Sequence, residues 1–200
     1  MSKKLPGETY NSNQVELIFK QMSKRCPTGI RNRGLVSLLY GSGLRITEAL
    51  NLYPRDVNAK VGEIFVRNGK GDKSRRVGLD SFSCSLLECW IERRKKLKFS
   101  GTYPLFCTLK GEKMSSDYVR GLFSRISKKI EKKTGEKIRI HAHGLRHTMA
   151  TELLKEGFDI QHISDQLGHS SLATTQVYLK KLCPEQLISS IHKRERTLKV

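Results

Sequence analysis

The sequence predicts a single, mainly α-helical domain carrying one small antiparallel β-sheet. Apolar residues recur at the three- and four-residue spacing of amphipathic helices along most of the chain. The period shortens to that of extended strands in one stretch only, on either side of a glycine-rich turn. With 37% hydrophobic residues in 200, the chain can bury one compact core, and no internal repeat, low-complexity tract or linker divides it.

Taken in order, the first ten residues read as a disordered tail. Asn11 to Met22 reads as a helix, with Val15, Ile18 and Met22 on one face. Arg31 to Tyr40 is a deeply buried helix by its Leu35, Val36, Leu38 and Leu39, broken by Gly41 and Gly43. A short helix opens near Arg45 and runs to about Leu52. Ile64 to Arg67 and Ser74 to Leu79 form the one clear hairpin. Its turn, Asn68-Gly69-Lys70-Gly71-Asp72, has the Asn-Gly step and paired glycines that suit positive φ. Helices follow at Leu86 to Leu97, Asp117 to Lys133 and Gly144 to Glu156, the last stopped by Gly157. Pro104 to Cys107 is a candidate short strand. Ile160 to Leu167 is a short helix ending at Gly168, Ser171 caps a helix carrying Thr174 to Lys180, and Pro184 starts a last one through Ile191.

Charge narrows the partner. Lys and Arg total 38 against 19 Asp and Glu, a formal charge of +19, and such self-repulsion is best offset by a polyanion. Nucleic acid is therefore the leading partner class, and double-stranded DNA is the partner that the motifs below imply. No stretch approaches the roughly 20 apolar residues of a membrane span, and the N-terminus lacks the apolar run of a secretory leader. Five scattered cysteines without a Cys-x-x-Cys pair read as reduced, mostly buried thiols, which places the protein in the cytoplasm.

Cutting DNA without a metal needs a side-chain nucleophile, cations on the two non-bridging phosphate oxygens, an acid for the leaving oxygen and a base for the nucleophile. The chain holds such a set: Arg45 in GSGLRITEAL, Lys70 on the hairpin tip in GKGDKSRRV, His143 and Arg146 three apart in HAHGLRHTMAT, and His169 and Tyr178 in LGHSSLATTQVYL. Each residue alone has an ordinary reading: a helix-start arginine, a solvated turn lysine, capping histidines, a half-buried tyrosine. The ordered set is what carries weight.

In that order and wording, residues 11–182 resemble the catalytic domain of the tyrosine recombinases, the phage integrase family. The resemblance implies the DNA breaking-rejoining fold and a site-specific recombinase acting through a 3′-phosphotyrosyl intermediate in integration, excision or inversion. Tyr178 would attack the phosphate, Arg45 and Arg146 would clamp its oxygens, Lys70 would protonate the leaving 5′ oxygen, His143 would act as base and His169 would hydrogen-bond the phosphate. Glu48 matches the supporting acidic position. Neither metal, cofactor nor ATP is implied. The expected assembly is a tetramer on paired sites in the nucleoid, with accessory DNA-bending proteins possible. Residues 183–200 are a C-terminal helical tail open to exchange between subunits. The expectation is a protein without the separate N-terminal DNA-binding domain of most members, similar in this to the short fimbrial-switch invertases, or else a remnant or fragment of a longer one. Gly78 stands where relatives usually have proline, which is expected to loosen the strand end.

Three other readings compete. Ala150 to Leu179 also reads as the helix–turn–helix of a non-catalytic regulator, which leaves Arg45 and Lys70 unexplained. A type IB topoisomerase would use a similar active site. A metal on His141, His143 and His147 lacks a completing Cys or carboxylate.

Overall fold

A computed structural model of the chain describes residues 9–67 and 74–168. Lys70 with its turn, His169, Tyr178 and the expected helices after Gly168 lie outside the described residues.

The described chain runs α1 (Ser12–Lys20), α2 (Pro27–Ser42), α3 (Ile46–Leu50), a 3₁₀ turn (Pro54–Asp56), β1 (Val57–Asn58), β2 (Glu63–Val66), β3 (Arg75–Gly78), α4 (Ser81–Lys96), α5 (Ser116–Thr134), α6 (Ala142–Lys155) and α7 (Ile160–Leu167). The sheet is antiparallel in the order β1-β2-β3, with Ile64 opposite Val77 and Glu63 opposite Gly78. The expected hairpin strands are present, and β1 is a third strand that the pattern of Val57-Asn58 is too short to announce.

Helix α2 is the central element. Residues on every side of it are buried, so it shows no polar stripe, and it packs against both α4 and α6. Its start is four residues earlier than expected because Pro27 takes the first-turn position, where a missing N–H costs nothing. It also runs through Gly41. There the bare Cα lets the α4 N-terminus approach, since a Cβ would stand 1.9 Å from Asp80 Oδ2. The break falls only at Gly43, in the left-handed conformation with φ 64°. Around α2 lies the main core, which includes Leu35, Leu38, Leu87, Trp90, Phe106, Phe123 and Ile130. A smaller cluster of Met149, Ala150, Ile163 and Leu167 joins α6 to α7.

Several expectations are corrected. Tyr10, placed in the disordered tail, is buried. Its N–H donates to Thr148 Oγ1 (2.8 Å) and its hydroxyl to the Arg139 carbonyl (2.9 Å). Residues 104–107 form no regular strand, only an isolated bridge from Cys107 to Lys113. Their carbonyls are already taken: Trp90 Nε1 and Arg94 Nε donate to Leu105, Arg94 Nη2 to Pro104, and Arg31 Nη1 to Cys107. Cys26 and Cys89 are exposed, whereas Cys84 and Cys107 are buried, and all four are free thiols. Gly78 does not loosen the end of β3. Its N–H donates to Gln166 Oε1 (2.9 Å) and its carbonyl accepts from Gln166 Nε2 (2.8 Å), which ties the strand to α7. No helix among the described residues is long and apolar enough to cross a membrane.

Candidate active site

The site gathers where α2 and α7 end, because each helix terminus leaves carbonyls without intrahelical partners and arginine is a natural donor to them. Arg146, on the second turn of α6, is 3% exposed. Its Nη1 donates to the Gly43 carbonyl (2.6 Å) and its Nη2 to the Leu167 carbonyl (2.8 Å). Arg45, the N-cap of α3, donates through Nη2 to the carbonyl of Gly168 (3.1 Å). Two of the sequence-predicted cations, distant in the chain, thus bind adjoining carbonyls at the end of α7.

Glu48 fixes Arg45 from the other side. Its Oε1 accepts from Arg45 Nη1 (3.0 Å), and its Oε2 accepts the Arg45 backbone N–H (2.9 Å). The same carboxylate takes two hydrogen bonds from Arg75, Nη1 to Oε1 (3.1 Å) and Nη2 to Oε2 (3.0 Å). Burial alone would raise the Glu48 carboxyl. The Arg75 hydrogen bonds, the Arg45 N–H and the two guanidinium charges outweigh it and hold the pKa below the usual carboxylate value. Arg75 Nη2 also shares the Leu167 carbonyl with Arg146 (3.2 Å). Gly168 is a left-handed cap, φ 66°, and a Cβ there would stand 2.6 Å from Arg75 Cζ, so glycine is what lets the guanidinium lie against the turn.

Arg75 was not singled out from sequence. The signal was present in the alternation of β3, which puts Arg75 on the same face as buried Val77 while Arg76 faces out. An inward arginine needs acceptors, and the Glu48 carboxylate and the Leu167 carbonyl supply them.

His143 lies one turn before Arg146 on α6. Burial, followed by the charges of Arg146, His141 and Arg45, lowers its pKa below the ordinary imidazole value. Its Nε2 is 2.7 Å from His147 Nε2, so one ring nitrogen donates and the other accepts. The i, i+4 spacing made this pair legible, although the sequence reading considered His147 only as a metal ligand. His141 acts instead as the α6 N-cap, its Nδ1 accepting the Gly144 N–H (2.7 Å). Among the described residues, no group of three or more His, Cys, Asp or Glu side chains could hold a metal ion. The helix–turn–helix reading finds α6 and α7 joined through Gly157, but its second candidate helix falls outside the described residues.

Comparison with known proteins bears on the family and the fold. The family model described as "Phage integrase family" matches residues 8–183. The tyrosine recombinase XerC of Oceanobacillus iheyensis is 36% identical over 181 residues, covering 88% of this chain and 57% of that protein. Tyrosine recombinase XerA of Thermococcus kodakarensis is 36% identical over 179 residues, covering 88% of this chain and 60% of its own length. The chain therefore spans somewhat over half the length of these curated relatives. Among solved structures, the XerA recombinase crystal structure superposes with a TM-score of 0.78 at 27% identity, covering 97% of this chain and 68% of that one. The XerH site-specific recombinase bound to its difH substrate, in a pre-cleavage complex, gives a TM-score of 0.70 at 30% identity, covering 95% of this chain and 54% of that one. A helical domain with a three-stranded sheet, an arginine pair meeting at the end of α7 and a family match over most of its length lead to one assignment: the chain belongs to the phage integrase family.

Proposed function

We propose that this chain is the strand-cleaving and rejoining domain of a site-specific DNA recombinase. The observation that carries the reading is the meeting of Arg45 and Arg146 on the Gly168 and Leu167 carbonyls, immediately before His169. Two planar, permanently charged guanidiniums held side by side suit the two non-bridging oxygens of one phosphodiester. Double-stranded DNA as substrate is supported by the +19 charge and by the likeness to XerH, which was solved on its DNA site.

In this reading the Tyr178 hydroxyl gives up its proton, with His143 as base, and its oxygen bonds to phosphorus. The bond to the 5′ oxygen breaks, and Lys70 supplies that oxygen's proton. The product is a 3′-phosphotyrosyl ester and a free 5′ hydroxyl. His169 donates a hydrogen bond to the phosphate. Since the ester retains the energy of the bond broken, a new 5′ hydroxyl can reverse the step without ATP, and the residues named cover every proton without a divalent metal. Recombination joins two duplexes cut in both strands, so the working assembly is a tetramer on paired sites, in the nucleoid, where DNA-bending proteins can assist the pairing.

The test is to express the chain, isolate DNA that stays bound to protein in detergent, and sequence the attachment points. Discrete sites are expected, each adduct lost on protease treatment and absent from a Tyr178→Phe variant that still binds DNA. Adducts in the Phe variant would refute the nucleophile. Binding without any adduct would favour the regulator reading, and relaxation of supercoiled DNA without site preference would favour a topoisomerase.

A further inference from the structure

We infer that Gln166 is a positioning residue that registers the lysine hairpin against the arginine pair, and that Gly78 is its partner because glycine keeps an N–H there. The inference rests on the recombinase reading for its kinetic consequence, though not for the contact itself.

Strand β3 is an edge strand, so one of its sides carries backbone groups with no ladder partner. Gly78 faces that way. The Gln166 carboxamide meets it as another strand would, Oε1 accepting the Gly78 N–H (2.9 Å) and Nε2 donating to the Gly78 carbonyl (2.8 Å). The orientation of the amide follows from chemistry, since of its two end atoms only the oxygen can accept from an N–H. The second hydrogen of Nε2 goes to the Ser42 carbonyl (3.2 Å) at the end of α2. One side chain therefore joins β3, the last turn of α2 and the last turn of α7.

Those three places are what the site is built from. Ser42 precedes Gly43, whose carbonyl holds Arg146, and Gln166 precedes Leu167 and Gly168, whose carbonyls hold Arg146, Arg75 and Arg45. Strand β3 is the returning arm of the hairpin whose turn contains Lys70. Gln166 ties the far end of that arm to the helix that seats the arginines, as Arg75 ties its near end. Its bonds to Gly78 lie at an exposed position, where water can replace them, so their loss should shift geometry more than stability. A misplacement of about 1 Å at a reacting group can slow chemistry by about 10²-fold.

The Gly78 N–H is the second half of the device. Proline in that position has no hydrogen to give. A Cβ at Gly78 would rest 3.6 Å from Gln166 Oε1, an ordinary contact, so alanine keeps the bond and proline removes it.

The test uses the full chain with two readouts. Amide hydrogen exchange reads the contact: Gly78 should be protected in wild type and in G78A, and should exchange at least about tenfold faster in Q166M, where both amide partners are gone. Single-turnover adduct formation on a nicked suicide duplex reads the consequence. Q166M and G78P should each slow it about tenfold or more with DNA affinity within about twofold, and the double variant should be no slower than the worse single one, as for two halves of one contact. Q166E supplies a signature that lost packing would not give. Its carboxylate cannot donate to Gly78, but its protonated form can, so its rate relative to wild type should recover as pH falls. Unprotected Gly78 in wild type overturns the clasp. Protection lost in Q166M with an unchanged rate overturns the positioning role, as does a Q166E-to-wild-type ratio flat with pH. If wild type forms no adduct on any site, the recombinase reading and the kinetic claim fail together, while exchange at Gly78 still decides the contact.

Discussion

Glu48 offers the sharpest test of the arginine frame. Its carboxylate is 7% exposed and receives Arg45 at 3.0 Å and Arg75 at 3.0 and 3.1 Å. Removing one partner of a buried ion pair costs about 3–5 kcal/mol, because the remaining charge stays buried without compensation. Arg45, at 31% side-chain exposure, can turn toward water and escape part of that cost, whereas Arg75, at 15%, cannot. Glu48→Ala should therefore cost about 2–4 kcal/mol, a large share of the about 5–15 kcal/mol that holds a domain folded. For a domain of this size that is a fall in melting temperature of roughly 5–15 °C. Glu48→Gln keeps one accepting oxygen and should lose less. The pH dependence has a definite sign. The folded pKa of Glu48 is depressed, so its contribution is complete above the unfolded value of about 4.3 and is lost as pH falls through the folded one. The gap in melting temperature between wild type and Glu48→Gln should be widest at neutral pH and close in acid. Thermal unfolding of both proteins across that range is the assay. A gap worth less than about 0.5 kcal/mol at neutral pH, the size of an ordinary surface substitution, would refute the reasoning. So would a gap that persists unchanged in acid.

Other consequences follow from the same geometry. Arg146→Ala should slow adduct formation about 10²–10³-fold, and lysine should rescue poorly since it cannot bind two oxygens in one plane; near-wild-type rates measured on the folded fraction would remove Arg146 from the clamp. With the His143 pKa depressed by burial and by Arg146, His141 and Arg45, cleavage should hold through the ordinary imidazole value of about 6.5 and decline only in stronger acid, which a pH–rate profile checks. Glu152, which accepts the Tyr40 hydroxyl at 2.9 Å, has its carboxyl pKa raised chiefly by burial. Its stabilising share is present below its unfolded value of about 4.3 and is lost as pH rises through the folded one, so Glu152→Gln should raise the melting temperature at neutral pH.

The sequence made the helices legible wherever a helix buries one stripe and leaves another wet. Helix α5 is such a case, with Val119, Leu122, Phe123, Ile126 and Ile130 inside and a basic outer face. It failed where burial is uniform or where side chains replace the ladder. Helix α2 is buried on every side, so its true start depended on Pro27 rather than on periodicity, and residues 104–107 look like a strand but give carbonyls to Arg31, Trp90 and Arg94. The site divides in the same way. Arg45, His143 and Arg146 were singled out from their motifs, and Glu48 through the resemblance to the family. Arg75 and Gln166 were not, because each acts through a partner far along the chain, Glu48 or Gly78, and pairwise distance is not written in local pattern.

The placement of the arginines also shows what offsets the charge of so basic a cluster. Three guanidiniums gather at the end of α7 and two of them, Arg45 and Arg75, share one carboxylate, which leaves a net charge of +2 in a small volume. What offsets the excess is the negative end of two helix dipoles. The last carbonyls of α2 and α7 point at the same spot, and Gly43 and Gly168 cap those helices in the left-handed conformation that turns the chain away and leaves the carbonyls open. Each such interaction is worth about 0.3–1 kcal/mol when exposed and up to about 2 when partly buried. That is strong enough to hold the forks in one orientation and weak enough to leave most of their charge available. In the proposed clamp, a further acid in place of those carbonyls would neutralise charge that Glu48 leaves to the phosphate. Water in their place would have to be reorganised at the moment of reaction. Carbonyls would do neither, so in the proposed function the arginines would stand oriented before substrate arrives, the cost of orienting them being met during folding.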